Sequence, residues 1–174
     1  MLVTTPAHAA GTVDVSVATP GGVATASNAY AYLAPSVSIG DVAHAEGNTG
    51  TTPFVFPVTL SYSTPSVVQV DYIAMSGSAQ AGSDFVPTSG TLSFAPGTVT
   101  QTITVPVFGD SIRESNKTFA VVLSAPANAT IVRGSGAGTI VDDDLDGAPV
   151  PVLSEWALVI LAMSLAWIAL KSRT

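Results

Sequence analysis

Val99-Thr100-Gln101-Thr102-Ile103-Thr104-Val105-Pro106-Val107 places Val99, Ile103, Val105 and Val107 on one face, interrupted only by Gln101, with threonine on much of the other. Side chains of a strand alternate between its two faces, so this pattern describes a strand that packs on one side and is wet on the other. Strand-like runs recur outward from it at 37–45, 54–60, 67–75, 91–95, 119–123 and 138–141. Turn-forming segments such as Thr88-Ser89-Gly90 and Pro96-Gly97 separate them. Seven strands in about 110 residues predict an all-β, Ig-like antiparallel β-sandwich over residues 35–146.

Composition agrees with one such domain. The 174 residues are 47% hydrophobic and 10% charged, which allows one sizeable core, and Gly 15 with Pro 12 breaks the chain at short intervals. The net charge is −7 with five basic residues, so no basic stripe exists to neutralise phosphates, and nucleic acid is excluded as a partner. The absence of cysteine removes disulfides, thiolate metal sites and cysteine nucleophiles.

The flanks differ from the body. Thr12-Val13-Asp14-Val15-Ser16-Val17 alternates, turns at Thr19-Pro20-Gly21-Gly22 and continues to Asn28-Ala29-Tyr30-Ala31-Tyr32, one hairpin's worth of strand. Two strands alone do not make a stable fold, so residues 1–34 are expected to be the remnant of a domain or a pair that docks elsewhere. No basic n-region or apolar h-region opens the chain, and the true N-terminus is expected upstream. At the other end, the Pro-containing linker 147–155 leads into residues 156–170, fifteen residues without a charge, and then a basic end at 171–174 carrying Lys171 and Arg173. A helix there is roughly 22 Å long against a hydrocarbon core of ~30 Å, a short transmembrane helix. Trp156 and Trp167 near its ends and basic residues on the C-terminal side alone fit a membrane segment whose end stays cytoplasmic.

The carboxylates are unevenly placed. In a sandwich whose successive strands reverse, the loops after the first, third and fifth strands and the end of the seventh emerge at one pole. Those segments carry Glu46, Asp84, Asp110, Glu114, Asp142, Asp143 and Asp144, whereas the opposite pole holds no acid and one Arg133. Two unit charges ~4 Å apart at an effective dielectric of ~20 repel by about 4 kcal/mol. Only Arg113 and Lys117 lie near in sequence. Ca²⁺ takes six to eight oxygen ligands in flexible geometry and suits such loops, while Zn²⁺ calls for His or Cys. A solvated acidic cap that keeps the protein soluble is the plainer alternative.

Catalysis finds little support. His8 and His44 lack a serine or cysteine in a nucleophile context, and no G-x-S-x-G, H-E-x-x-H or Walker motif occurs. Gly134-Ser135-Gly136-Ala137-Gly138 reads as a bulged approach to the last strand rather than a phosphate loop, because no helix pattern follows it.

Three stretches resemble known families. Val37-Ser38-Ile39-Gly40-Asp41-Val42 through Glu46-Gly47, Ala81-Gly82-Ser83-Asp84-Phe85, Ser89-Gly90-Thr91-Leu92-Ser93-Phe94-Ala95-Pro96-Gly97, Ile103-Thr104-Val105-Pro106-Val107 and Gly138-Thr139-Ile140-Val141-Asp142-Asp143-Asp144 together resemble a Calx-beta domain. The resemblance implies an Ig-like sandwich whose acidic pole binds Ca²⁺, with ligand positions on Glu46, Asp84, Asp110, Glu114 and Asp142 to Asp144. One position departs: Lys117 stands where that family usually has an acid, so its ammonium would occupy part of the site or lower the number of ions. Pro6-Ala7-His8-Ala9-Ala10-Gly11-Thr12-Val13-Asp14-Val15-Ser16-Val17 with Thr19-Pro20-Gly21-Gly22 resembles the closing strands of an IPT/TIG domain. Val150-Pro151-Val152-Leu153-Ser154-Glu155-Trp156, the apolar run and the basic end are similar to the IPTL-CTERM sorting signal, with Val150 and Val152 replacing its usual Ile and Thr. That likeness implies an exported protein, held at the membrane at least transiently by the C-terminal helix and processed by an exosortase-type enzyme, then present at the cell surface or outside the cell. The function expected is a calcium-binding structural or adhesion module with an extracellular-matrix or cell-surface ligand. A metal-free Ig-like spacer, or an adhesive module that binds protein or glycan, is the alternative.

Overall fold

The computed structural model describes residues 11–144. Two strands, β1 (Gly11–Thr19) and β2 (Gly22–Tyr32), form the expected hairpin around Pro20-Gly21 and make a two-stranded sheet of their own. Its register sets Val13, Val15 and Val17 beside Tyr30, Ala26 and Ala24, which gathers the apolar residues on one face.

The remaining strands are β3 (Ser36–Ile39), β4 (Val42–Ala45), β5 (Thr51–Leu60), β6 (Val68–Ser76), β7 (Ser89–Phe94), β8 (Thr100–Phe108), β9 (Lys117–Ala127), β10 (Thr130–Arg133) and β11 (Ser135–Val141). They form a sheet in the order β10-β3-β5-β8 and a second in the order β4-β11-β9-β6-β7. The core lies between them. Alternation along β5 buries Phe54, Phe56, Val58 and Leu60, and along β8 it buries Ile103, Val105 and Val107. Phe119 of β9 stacks on Phe85 with ring centroids 4.6 Å apart and meets Phe54 and Phe56, each at 5.8 Å.

The structure corrects the expected strands in several places. The expected first strand, 37–45, is two strands in different sheets. It breaks at Gly40-Asp41, where the Gly40 N–H donates to the Pro57 carbonyl at 2.8 Å and Asp41 accepts from Arg133 and from the Ala137 N–H. The sandwich is also not wholly antiparallel, because the short edge strands β10 and β4 run parallel to β3 and β11. Lastly, β11 pairs regularly with β9 from Ser135 onward, so the glycine-rich run is no bulge. Gly136 and Gly138 are there for space: a Cβ at either would overlap the Gly40 carbonyl or the Phe119 ring. Val99 lies outside β8 and is 39% exposed rather than part of the packed face. Among the described residues there is no helix; the expected helix 156–170 and the sorting motif lie outside them.

Register builds the acidic pole. Thr51 pairs with Phe108, Ser76 with Phe119, Lys117 with Ile140 and Ala45 with Val141. The loops after β4, β6 and β8 and the segment after β11 therefore leave the sandwich at the same end.

Candidate metal centre

Glu46 sits one residue beyond β4, and its backbone is held from both sides. Its N–H donates to the Val141 carbonyl at 3.3 Å, and its own carbonyl accepts from the Thr52 hydroxyl at 2.5 Å. The next residue, Gly47, has φ +79° and donates its N–H to Asp143 Oδ1 at 3.0 Å. Gly109, after β8, closes over this turn: its N–H donates to the Gly50 carbonyl at 3.1 Å, and a Cβ on it would overlap the Gly47 carbonyl oxygen. Glycine is required there by close approach.

The segment after β11 folds back against these loops. Asp142 Oδ2 accepts from the Glu114 N–H at 3.1 Å, its Oδ1 accepts from the Asp144 N–H at 3.3 Å, and its own N–H donates to Asn116 Oδ1 at 3.2 Å. Asn48 Nδ2 donates to Asp144 Oδ1 at 2.6 Å. The outcome is a group of three carboxylates, Glu46, Asp142 and Asp144, whose oxygens lie within 4.8 Å of one another.

The electrostatics mark this group as incomplete. Glu46 is 5% exposed and Asp144 8%. Burial, reinforced by the charges of Asp110, Glu114 and Asp142, pushes the Glu46 carboxyl up from 4.5 to about 7. Asp144 is also raised, by burial and by Asp142, Asp110 and Asp143, despite the bond from Asn48. Its second oxygen, Oδ2, is buried and has no hydrogen-bond partner. A carboxylate oxygen in that position normally has a donor or a cation.

Two of the expected ligands are occupied differently. Lys117, the first residue of β9, donates from Nζ to Asp84 Oδ1 at 2.8 Å and to Glu114 Oε2. Asp84 Oδ2 accepts from the Gln80 N–H at 2.6 Å. Burial pulls the Asp84 carboxyl upward, but the bonds from Lys117 and Gln80 outweigh it and hold it below its usual value. Asp110 Oδ1 accepts from the Ile112 N–H at 2.6 Å, and Asp143 is engaged by Gly47. All seven acids singled out in the sequence thus reach this pole, three of them as one oxygen cluster and two through Lys117.

Sequence reasoning missed Asn48 and Asn116, which orient Asp144 and Asp142. Their places in short polar loops beside the acids were the available signal. His44 is exposed, with Nδ1 2.9 Å from the Ala45 carbonyl and its ring edge toward Phe54 at 6.1 Å, and it takes no part.

Chemically, the cluster suits a hard cation. Its donors are all oxygen, and two ligands of a Ca²⁺ ion at about 2.3–2.6 Å stand at most about 5 Å apart, a limit that oxygens within 4.8 Å of one another satisfy. An ion there would complete the orphaned Asp144 oxygen and relieve the repulsion that, after burial, raises Glu46. The Calx-beta domain model matches residues 40–144. The chain belongs to the Calx-beta family. A second model, the IPTL-CTERM motif, matches residues 148–173, which include Val150 to Trp156. Among solved structures, the apo-form Calx CBD1 domain is 28% identical, with a TM-score of 0.55 over 64% of this chain and 100% of that one. The calcium binding domain CBD12 of CALX1.1 is 28% identical, with a TM-score of 0.58 over 64% of this chain and 47% of that one. The Calx CBD2 domain, at 12% identity and a TM-score of 0.54 over 74% of this chain and 93% of that one, shares the fold. A search of curated proteins returns no match. The Calx-beta match is thus followed along the chain by a match to a sorting motif.

Proposed function

We propose that this chain is a calcium-binding structural or adhesion module of an exported bacterial surface or matrix protein, delivered by its C-terminal signal. The observation that carries the calcium assignment is the buried, unpartnered Asp144 Oδ2 within the Glu46–Asp142–Asp144 cluster. Glu46, Asp142 and Asp144 hold the ion, and Asp110 and Asp143 add negative field around it. Calcium supplies the positive charge that lets the loop after β4 and the segment after β11 close on each other, stiffening the end from which the chain runs on toward its tail. Membership of the Calx-beta family and the likeness to a calcium binding domain support this reading. The IPTL-CTERM match supports export. In this proposal residues 156–170 are a transient membrane segment, an exosortase-type enzyme is the processing partner, and the mature module has a matrix or cell-surface ligand. The hairpin of β1 and β2 is the closing part of an IPT/TIG-type domain.

Thermal unfolding of the purified full chain in mild detergent tests the calcium assignment. With free Ca²⁺ a hundredfold above its dissociation constant the fold gains about 2.7 kcal/mol over the chelated protein. An unchanged midpoint would leave the metal-free spacer as the better description.

A further inference from the structure

The acidic pole has two halves of different character. One half, Glu46, Asp142 and Asp144, contains an orphaned oxygen. The other, Asp84 and Glu114, already has a cation: the Lys117 ammonium bonds both carboxylates. We infer that Lys117 is a tethered cation that permanently fills the Asp84–Glu114 half of the pole, so that this module takes a single Ca²⁺ at Glu46, Asp142 and Asp144. The inference rests on the calcium reading above and sets its stoichiometry and its loop-by-loop consequences.

Three observations support it. First, Asp84 is bonded through Oδ1 to a full positive charge, the Lys117 ammonium at 2.8 Å, while its Oδ2 accepts from the Gln80 N–H; among the described residues, Asp142 and Asp144 accept only from neutral amides. Second, the lysine's base is fixed. Lys117 pairs with Ile140, and at the next residue the Thr118 N–H donates to Ser78 Oγ at 2.7 Å while its carbonyl accepts from the Ala79 N–H at 2.9 Å. The side chain is 23% exposed, so the ammonium lies among the loops rather than in free solvent. Third, a group on the same chain acts at a high effective concentration that dilution and chelators do not change. A divalent ion entering that half would have to displace it or lie against its charge.

A division of labour follows. Lys117 staples the β6–β7 loop, through Asp84, to the β8–β9 loop, through Glu114, whether or not calcium is present. Calcium governs the loop after β4 and the segment after β11, which also bonds the β8–β9 loop through Asp142. The chelated protein accordingly keeps half of its pole closed.

Calcium counted per chain by equilibrium dialysis on the purified full chain, with circular dichroism to verify folding, tests this. The wild type is expected to bind one Ca²⁺ and Lys117→Asp two, the second ion replacing the lost ammonium. Lys117→Gln keeps the side-chain bulk with no charge and needs no ion to fold; it should melt below the wild type in chelator while keeping the first ion. Two or more ions on the wild type would overturn the inference and leave the calcium reading standing, as would a Lys117→Asp protein that folds and still binds one. An unaltered melting point of chelated Lys117→Gln would show that the ammonium closes nothing. No calcium on the wild type would sink both readings together.

Discussion

Glu46→Gln separates the two things calcium does at this pole, because it removes a charge without removing bulk. In the folded chain the Glu46 carboxyl titrates near 7 rather than 4.5, for reasons of burial first and neighbouring carboxylates second. A carboxyl whose folded value is raised contributes nothing unfavourable below about 4.5, where it is protonated in both states. It becomes progressively unfavourable between 4.5 and about 7, and its full effect is present above that. At about 1.4 kcal/mol for each pH step, ionised Glu46 lowers the stability of the chelated fold at pH 8 by about 3 kcal/mol. Glutamine removes that term but buries an amide whose bonds are incomplete, at a cost of about 1–3 kcal/mol, so the net gain is about 0–2 kcal/mol. At about 4 °C per kcal/mol for a domain of this size, chelated Glu46→Gln melts up to about 8 °C above the chelated wild type at pH 8, and level with it or below at pH 4. In calcium the order reverses: the wild type gains about 2.7 kcal/mol at a hundredfold excess over the dissociation constant, and the variant loses most of that gain with its ligand. Thermal unfolding by circular dichroism, in chelator and in calcium at both pH values, reads all four states. The reasoning is refuted if the variant melts below the wild type in chelator at pH 8, or if it keeps the full calcium shift.

Two further outcomes are expected. Gly109→Ala drives a methyl into the Gly47 carbonyl and should destabilise the protein by about 1–3 kcal/mol in urea unfolding while weakening calcium binding, since Gly47 also positions Asp143; equal calcium affinity would show that the loop yields freely. In a host with the processing enzyme, intact-mass measurement of the mature surface form should show loss of residues 156–174, and retention of the intact C-terminus there would count against processing of the tail.

Much of the architecture was legible because a half-buried strand writes its burial into every second residue. The run from Thr100 to Val107 reads that way, and so does β5, where Phe54, Phe56, Val58 and Leu60 all face inward. Alternation does not report which sheet a strand joins. The crossing at Gly40-Asp41 depends on Asp41 finding Arg133 and the Ala137 N–H, ninety-two and ninety-six residues away in sequence, and no local pattern announces it. The parallel strand β10 was missed for a related reason. Its Thr130–Arg133 is four residues long, with only Ile131 packed against the core and Val132 72% exposed, too little alternation to read.

By itself the sequence determined that the chain is an acidic, cysteine-free, strand-built Calx-beta protein with a sorting motif, and that its carboxylates emerge at one pole. Strand reversal carries that last point, because loops at alternate strand ends must share an end of the sandwich. Tertiary structure alone decided how those acids divide. Carboxylates separated by dozens of residues are equivalent in the sequence, and only their distances make Glu46, Asp142 and Asp144 a cluster with one oxygen unanswered, while the 2.8 Å contact between Lys117 and Asp84 provides the other half of the pole with a cation of its own.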